Sequence, residues 1–126
     1  MITKAATVGV YVGDQGRVLD FYVGTLGFEK LRDEPMSPES RWIEVAPAGA
    51  QTRLVLFTPP GQEDRIGTFA NVIFECDDMQ ATYEELRGRG VEFSQEPVEQ
   101  PWGPRSPKMW AQFKDVDGNE FGLVQE

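Results

Sequence analysis

The chain contains no histidine at all. Histidine is the usual general base near neutral pH and a preferred ligand for zinc, iron and copper. Its absence excludes Ser-His-Asp and Cys-His chemistry, and any bound metal would need oxygen ligands. There is a single cysteine, Cys76, so neither an internal disulfide nor a cysteine metal cluster can form. Two readings of Cys76 stand: a buried structural thiol alternating with Phe74 in a strand, or a reactive thiolate. No basic residue adjoins it in sequence to favour the second. Basic residues are scarce overall, 12 against 21 acidic ones, for a net charge of −9. Nucleic-acid binding needs clustered Lys and Arg, so that partner is excluded. No apolar run approaches the ~18 residues of a membrane span, and the opening Met1-Ile2-Thr3-Lys4-Ala5 leads into a strand pattern without an apolar signal segment. A cytoplasmic location is expected, with no membrane partner.

What is present is periodicity. Val8, Val10 and Val12 alternate in a strand expected over Ala5 to Val12, and Asp14 follows as an N-cap. Val18, Phe21, Tyr22 and Leu26 fall at helical spacing, and Gly27 ends that helix. Strands are expected at Phe28 to Arg32, around Arg41 to Val45, and at Thr52 to Phe57, with a loop over Asp33 to Ser40. Thr58 to Asp64 is rich in breakers and reads as a linker. The pattern then restarts: Asn71 to Cys76 as a strand, Asp78 as a cap, Met79, Tyr83 and Leu86 on a helix ended by Gly90, and Val91 to Ser94 as a strand. A Pro-rich loop over Glu96 to Lys108 follows, and strands Met109 to Lys114 and Asn119 to Val124 are joined by a tight turn at Asp117-Gly118.

The repetition is positional. Val8, Val10, Val12 and Asp14 stand 64 residues before Val72, Phe74, Cys76 and Asp78, and Gly27 and Glu29 stand 63 before Gly90 and Glu92. The second helix is therefore one residue shorter. Duplication of this kind makes one α+β domain of two βαβββ modules, about 1–58 and 68–126 joined by a linker at about 59–67. Curved mixed sheets, each covered by a helix, are expected to form a cleft between the halves.

Tyr11-Val12-Gly13-Asp14, Leu19-Asp20-Phe21-Tyr22 and Leu26-Gly27-Phe28, with the closing Asp115-Val116-Asp117-Gly118-Asn119, resemble the vicinal-oxygen-chelate superfamily of glyoxalases, bleomycin-resistance proteins and extradiol dioxygenases. Val116 replaces the proline of the family's closing D-P-D-G-N. The resemblance spans the chain and implies the fold, but the superfamily mixes enzymes with pure binding proteins. Its metal-dependent members carry His, Gln or Glu at four strand positions, which here fall on Thr7, Val55, Asn71 and Gly122. The resemblance thus implies a branch without metal ligands and without a cofactor, and it implies pairing into a homodimer.

If Thr7 and Asn71 face the cleft, alternation adds Tyr11, Ile73 and Glu75. Trp42, Glu44, Arg53, Val55 and Phe57 are expected inward in the first module. Glu120, Gly122, Trp110 and Gln112 are expected inward in the second. The aromatic residues could equally serve a core or an interface. Glu44, Glu75 and Glu120 could be solvated or paired with Arg53. Together they suit a planar, cationic small molecule through charge pairing and cation–π contact. The loop bearing Trp102 and Arg105 reads either as a lid or as a plain connection. Two functions follow. The first is metal-independent sequestration of an aromatic, cationic metabolite or antibiotic. The second is a lyase, isomerase or dioxygenase of the same superfamily using Glu44, Glu75 or Glu120 as a carboxylate base.

Overall fold

The computed structural model describes residues 1–99 and 107–126. The chain divides into two compact units, Met1–Gly67 and Thr68–Glu126. The first contains β1 (Thr7–Val10), α1 (Gln15–Asp20) continuing into a π-helical turn (Phe21–Thr25), β2 (Glu29–Ser37), β3 (Ser40–Ala46) and β4 (Arg53–Leu56). The second contains β5 (Phe69–Glu75), α2 (Met79–Gly88), β6 (Glu92–Glu99), β7 (Met109–Lys114) and β8 (Glu120–Gln125). Each unit is a βαβββ module with a four-stranded mixed sheet, ordered β1-β4-β3-β2 in one and β5-β8-β7-β6 in the other. In both, the first strand runs parallel to the last and the remaining pairs are antiparallel.

Both helices begin as the caps require. The Asp14 side chain accepts from Arg17 N and the Asp78 side chain from Ala81 N, each at 3.1 Å, which satisfies an otherwise orphaned helical donor. Both modules turn out of the helix through a left-handed glycine, Gly27 at φ +80° and Gly90 at φ +91°. The extra residue of the first helix is absorbed by the π turn: Leu26 N donates to Phe21 O, five residues back, at 2.9 Å. A one-residue insertion between a fixed cap and a fixed glycine has this local solution, which keeps both ends in register.

One face of each sheet packs under its helix. In the first unit this face is aliphatic, with Val10, Ile43, Val45, Leu54 and Leu56 buried against Val18 and Tyr22. In the second it is aromatic: Phe74, Phe121, Phe113 and Phe93 form a chain of ring contacts, with Phe74 and Phe121 centroids 5.3 Å apart and Tyr83 of α2 edge-on to Phe93 at 4.8 Å. Each fully buried side chain among these, such as Val18, Ile43 and Phe121, contributes roughly 1.5–3 kcal/mol.

Four expected boundaries shift. β1 is shorter than Ala5 to Val12, because Val12 is tied by a side chain instead of the ladder: Thr58 Oγ1 accepts from Val12 N and donates to Val12 O, both at 2.7 Å. β2 runs through the expected loop to Ser37, and β6 runs beyond Ser94 to Glu99. Pro35 and Pro97 suggested loops, but β2 and β6 are edge strands, where a missing N–H breaks no ladder bond. Irregular register beside both prolines accommodates them. β8 starts at Glu120 and not at Asn119, and the turn stands at Asp117-Gly118 as expected, three residues long with Val116. Asp115 N donates to Asn119 O at 2.9 Å, and Gly118 sits at φ +89°.

Candidate functional site

The face of the first sheet turned away from α1 carries most of the sequence-predicted residues of its module. Pairing runs one row straight across all four strands: Arg32 opposite Glu44, Glu44 opposite Val55, Val55 opposite Gly9. Trp42 lies one step along β3 and Phe57 one step beyond β4, with ring centroids 6.0 Å apart. Arg53 lies one step the other way, opposite Thr7. Strand alternation therefore collects Trp42, Glu44, Arg53, Val55 and Phe57 on one surface.

Glu44 is only 3% exposed. Its Oε2 accepts the indole N–H of Trp42 at 2.8 Å and lies 3.7 Å from Arg32 Nη1. Its Oε1 lies 3.2 Å from Arg53 Nε. That contact is an ion pair without hydrogen-bond alignment, and both atoms are buried with no hydrogen-bond partner among the described residues. The carboxylate is thus compensated by two guanidinium groups and engaged on both oxygens. Arg32 was missed because its strand was expected to end there; the alternation Arg32, Glu34 against Glu44, Trp42 is the signal that would have found it.

Gln15, the first residue of α1, fixes the start of β3. Its Nε2 donates to Arg41 O at 2.6 Å and to Leu56 O at 2.8 Å, and its Oε1 accepts from Arg41 N at 3.0 Å. The residue before Trp42 is thereby held at both backbone groups. Concavities of about 570 and 210 Å³ flank Gln15, and of the predicted residues only Phe57 lines either one. Tyr11 lies under a cation of its own unit, with Arg65 Cζ 5.9 Å from its ring centroid.

The equivalent row of the second sheet is Ile73, Gly122, Gln112, Gln95. Trp110 is paired with Val124 and Val98, and Glu75 with Val124. Trp110 and Gln112 therefore share the face of Ile73 and Glu75. Glu120 stands four residues from Val124 along β8, so it is about 13 Å from the Glu75 row at ~3.3 Å per residue. Its neighbour opposite is Lys114, whose Nζ is 3.7 Å from Glu92. Glu75 and Glu120 are thus not a pair. Asn71 has φ +56° within an irregular stretch of β5, a left-handed conformation that Asn tolerates, so the strand pleat does not dictate its direction. Trp102 and Arg105 lie outside the described residues.

The four positions that the resemblance matches to the family's metal ligands carry no ligand set. Val55 and Gly122 have no side-chain donor, and Thr7 and Asn71 are neutral. A Cβ built on Gly122 would lie 3.0 Å from Ile73 Cγ1, so the Ile73 side chain occupies the space a ligand side chain there would need. Among the described residues no three His, Cys, Asp or Glu side chains are grouped to share a metal ion. Nor is any described helix long and apolar enough to cross a membrane.

The chain has relatives in both sequence and structure. It belongs to the glyoxalase/bleomycin resistance protein/dioxygenase superfamily, whose sequence model matches residues 4–123. It is 43% identical over 125 residues to the protein YetH of Bacillus subtilis (strain 168), covering 99% of this chain and 100% of that one. A superfamily member from Sphaerobacter thermophilus DSM 20745 superposes with a TM-score of 0.88 at 38% identity, covering 99% and 98% of the two chains. TnmS3, an antibiotic binding protein from Streptomyces sp. CB03234, superposes with a TM-score of 0.82 at 38% identity, covering 98% and 96%.

Proposed function

We propose that the protein binds an aromatic small molecule, without a metal ion, on the face of its first sheet turned away from α1. The observation that carries this reading is the Trp42–Phe57 ring pair set beside the Arg32–Glu44–Arg53 cluster on rigid strands. Aromatic area with a few fixed polar groups is the usual make-up of a small-molecule site. Similarity to TnmS3, an antibiotic binding protein, points the same way. The binding reading is preferred to a carboxylate-base enzyme because Glu44 is already engaged on both oxygens and Glu75 is exposed. A cytoplasmic homodimer is the expected form, since isologous pairing is the commonest soluble assembly.

Native mass spectrometry of gently purified protein, before and after incubation with nickel, zinc, manganese and iron, tests this reading. The expected result is a dimer that retains no stoichiometric metal and binds tricyclic aromatic compounds, with loss of binding in Trp42→Ala. One metal equivalent held per chain through gel filtration would refute the metal-free part. Failure of wild-type protein to bind any planar aromatic probe would refute the site.

A further inference from the structure

The charge carried by the candidate site points to a narrower ligand class. We infer that the first sheet recognises an anionic oxygen on an aromatic ring, such as a ring carboxylate, through Arg32 and Arg53; this rests on the binding reading above. Three carboxylates facing aromatic rings would have favoured a cation, but the structure does not bring the three together. Glu44, the one that stands beside the rings, is sealed from solvent and held between two guanidinium groups. Two cations around one buried anion leave the Arg32–Glu44–Arg53 cluster with one net positive charge.

The guanidinium groups are also incompletely used. Arg53 meets Glu44 through Nε, and Arg32 through Nη1. Arg53 Nε has no hydrogen-bond partner among the described residues, and Arg32 Nη1 stands 3.7 Å from Glu44, beyond hydrogen-bond distance. A guanidinium offers five N–H donors in a planar fork matched to carboxylate geometry. The side chains are 32% and 54% exposed, so both are reachable, whereas the Oε1 of Glu44 is not. Flanking them, Trp42 and Phe57 supply apolar area for the ring that carries the anion. The other carboxylate of this face, Glu34, is exposed on the edge strand opposite Trp42, where solvent screens it. Glu44 thus lies behind the two arginines as a compensating charge and is held in turn by the Trp42 indole.

The test uses one ring system with three charges: 9-anthracenecarboxylate, 9-anthracenemethanol and 9-(aminomethyl)anthracene, titrated calorimetrically into the full chain. The carboxylate should bind about tenfold or more tighter than the ammonium compound, with the alcohol between. Arg32→Gln and Arg53→Gln should each reduce that preference. Because Arg53→Gln could fail to fold, Glu44→Gln provides a second, opposite test. It removes the compensating charge without changing side-chain size, and should tighten the carboxylate several-fold while weakening the ammonium. Equal or tighter binding of the ammonium compound would overturn the inference and leave the binding site standing. No binding of any of the three would overturn the site and the inference together. Loss of carboxylate preference in Glu44→Gln would also overturn it.

Discussion

Ile73 lies over Gly122: its Cγ1 sits 3.0 Å from the position a Cβ at Gly122 would take, and its Cβ and Cγ2 are at 3.5 Å. The two residues face each other across the parallel β5–β8 pair. Gly122 therefore answers a packing need and not a turn. Ile73 is branched at Cβ and stiff at χ1, so it cannot swing aside freely. Gly122→Ala is expected to destabilise the protein by about 1 kcal/mol, at the low end for overpacking because Ile73 is itself 62% exposed. The double variant Ile73→Ala/Gly122→Ala should recover that loss in urea unfolding. A double variant no better than additive would mean the contact is not the cause.

The Glu44 cluster predicts an order of stability effects. Arg53 approaches Glu44 at 3.2 Å and Arg32 at 3.7 Å, and Arg32 is the more exposed. Removing one partner of a buried pair leaves a charge uncompensated. With one arginine remaining and partial exposure screening the pair, Arg53→Leu should cost about 2 kcal/mol and Arg32→Leu less than ~1 kcal/mol. Trp42→Phe removes a hydrogen bond to a charged acceptor, worth roughly 1.5–3 kcal/mol. Denaturant midpoints rank the three, and Arg32→Leu proving the most harmful would contradict the geometry.

Asp115 makes a contrasting case, in which an acidic motif residue serves the fold. Its Oδ1 accepts from Asp117 N and Asn119 N, and its Oδ2 from Asn119 Nδ2, all at 2.9 Å. Both Asp115 and Asn119 are buried. Asp115→Ala strands three donors at once and should cost about 3 kcal/mol or more, while Asp64→Ala, at an exposed carboxylate away from the hairpin, should cost under ~0.5 kcal/mol. Thermal unfolding of the two variants compares them directly, and similar losses would mean the hairpin is not held by the Asp115 carboxylate.

These examples show which parts of the molecule were legible in sequence. Caps, helix-ending glycines and the repeat were visible because each is a local constraint: Asp14 and Asp78 cap, and Gly27 and Gly90 take the left-handed turn. That Trp42, Glu44, Arg53 and Phe57 share one face of the first sheet followed from alternation alone. Pairing partners were not visible, because they depend on register. Pro35 masked the continuation of β2, and with it the meeting of Arg32 and Glu44 across the strands. The charge expected of the site turned on that one long-range contact. The non-local role of Gln15, bonded to Arg41 and Leu56, had no sequence signal either.

Cys76 allows a prediction from titration. Burial pushes its thiol above the ordinary value; a hydrogen bond with Thr82 opposes this, and the carboxylates of Asp77, Asp78 and Glu75 reinforce it. The thiolate is the nucleophile, so iodoacetamide should alkylate Cys76 more slowly than a free thiol between pH 7.5 and 8.5, about the unperturbed range. Linkage fixes the sign for stability. The folded protein holds the proton to higher pH than the unfolded chain does. The stability tied to the neutral thiol is therefore fully present below the unfolded value of ~8.5 and is lost as pH rises through the folded value. The unfolding free energy of wild type relative to Cys76→Ala should be flat from pH 6 to about 8 and fall at more alkaline pH. A difference that grows with alkalinity, or alkylation faster than that of free cysteine, would mean the thiolate is stabilised in the fold, and the reactive-thiolate reading of Cys76 would hold.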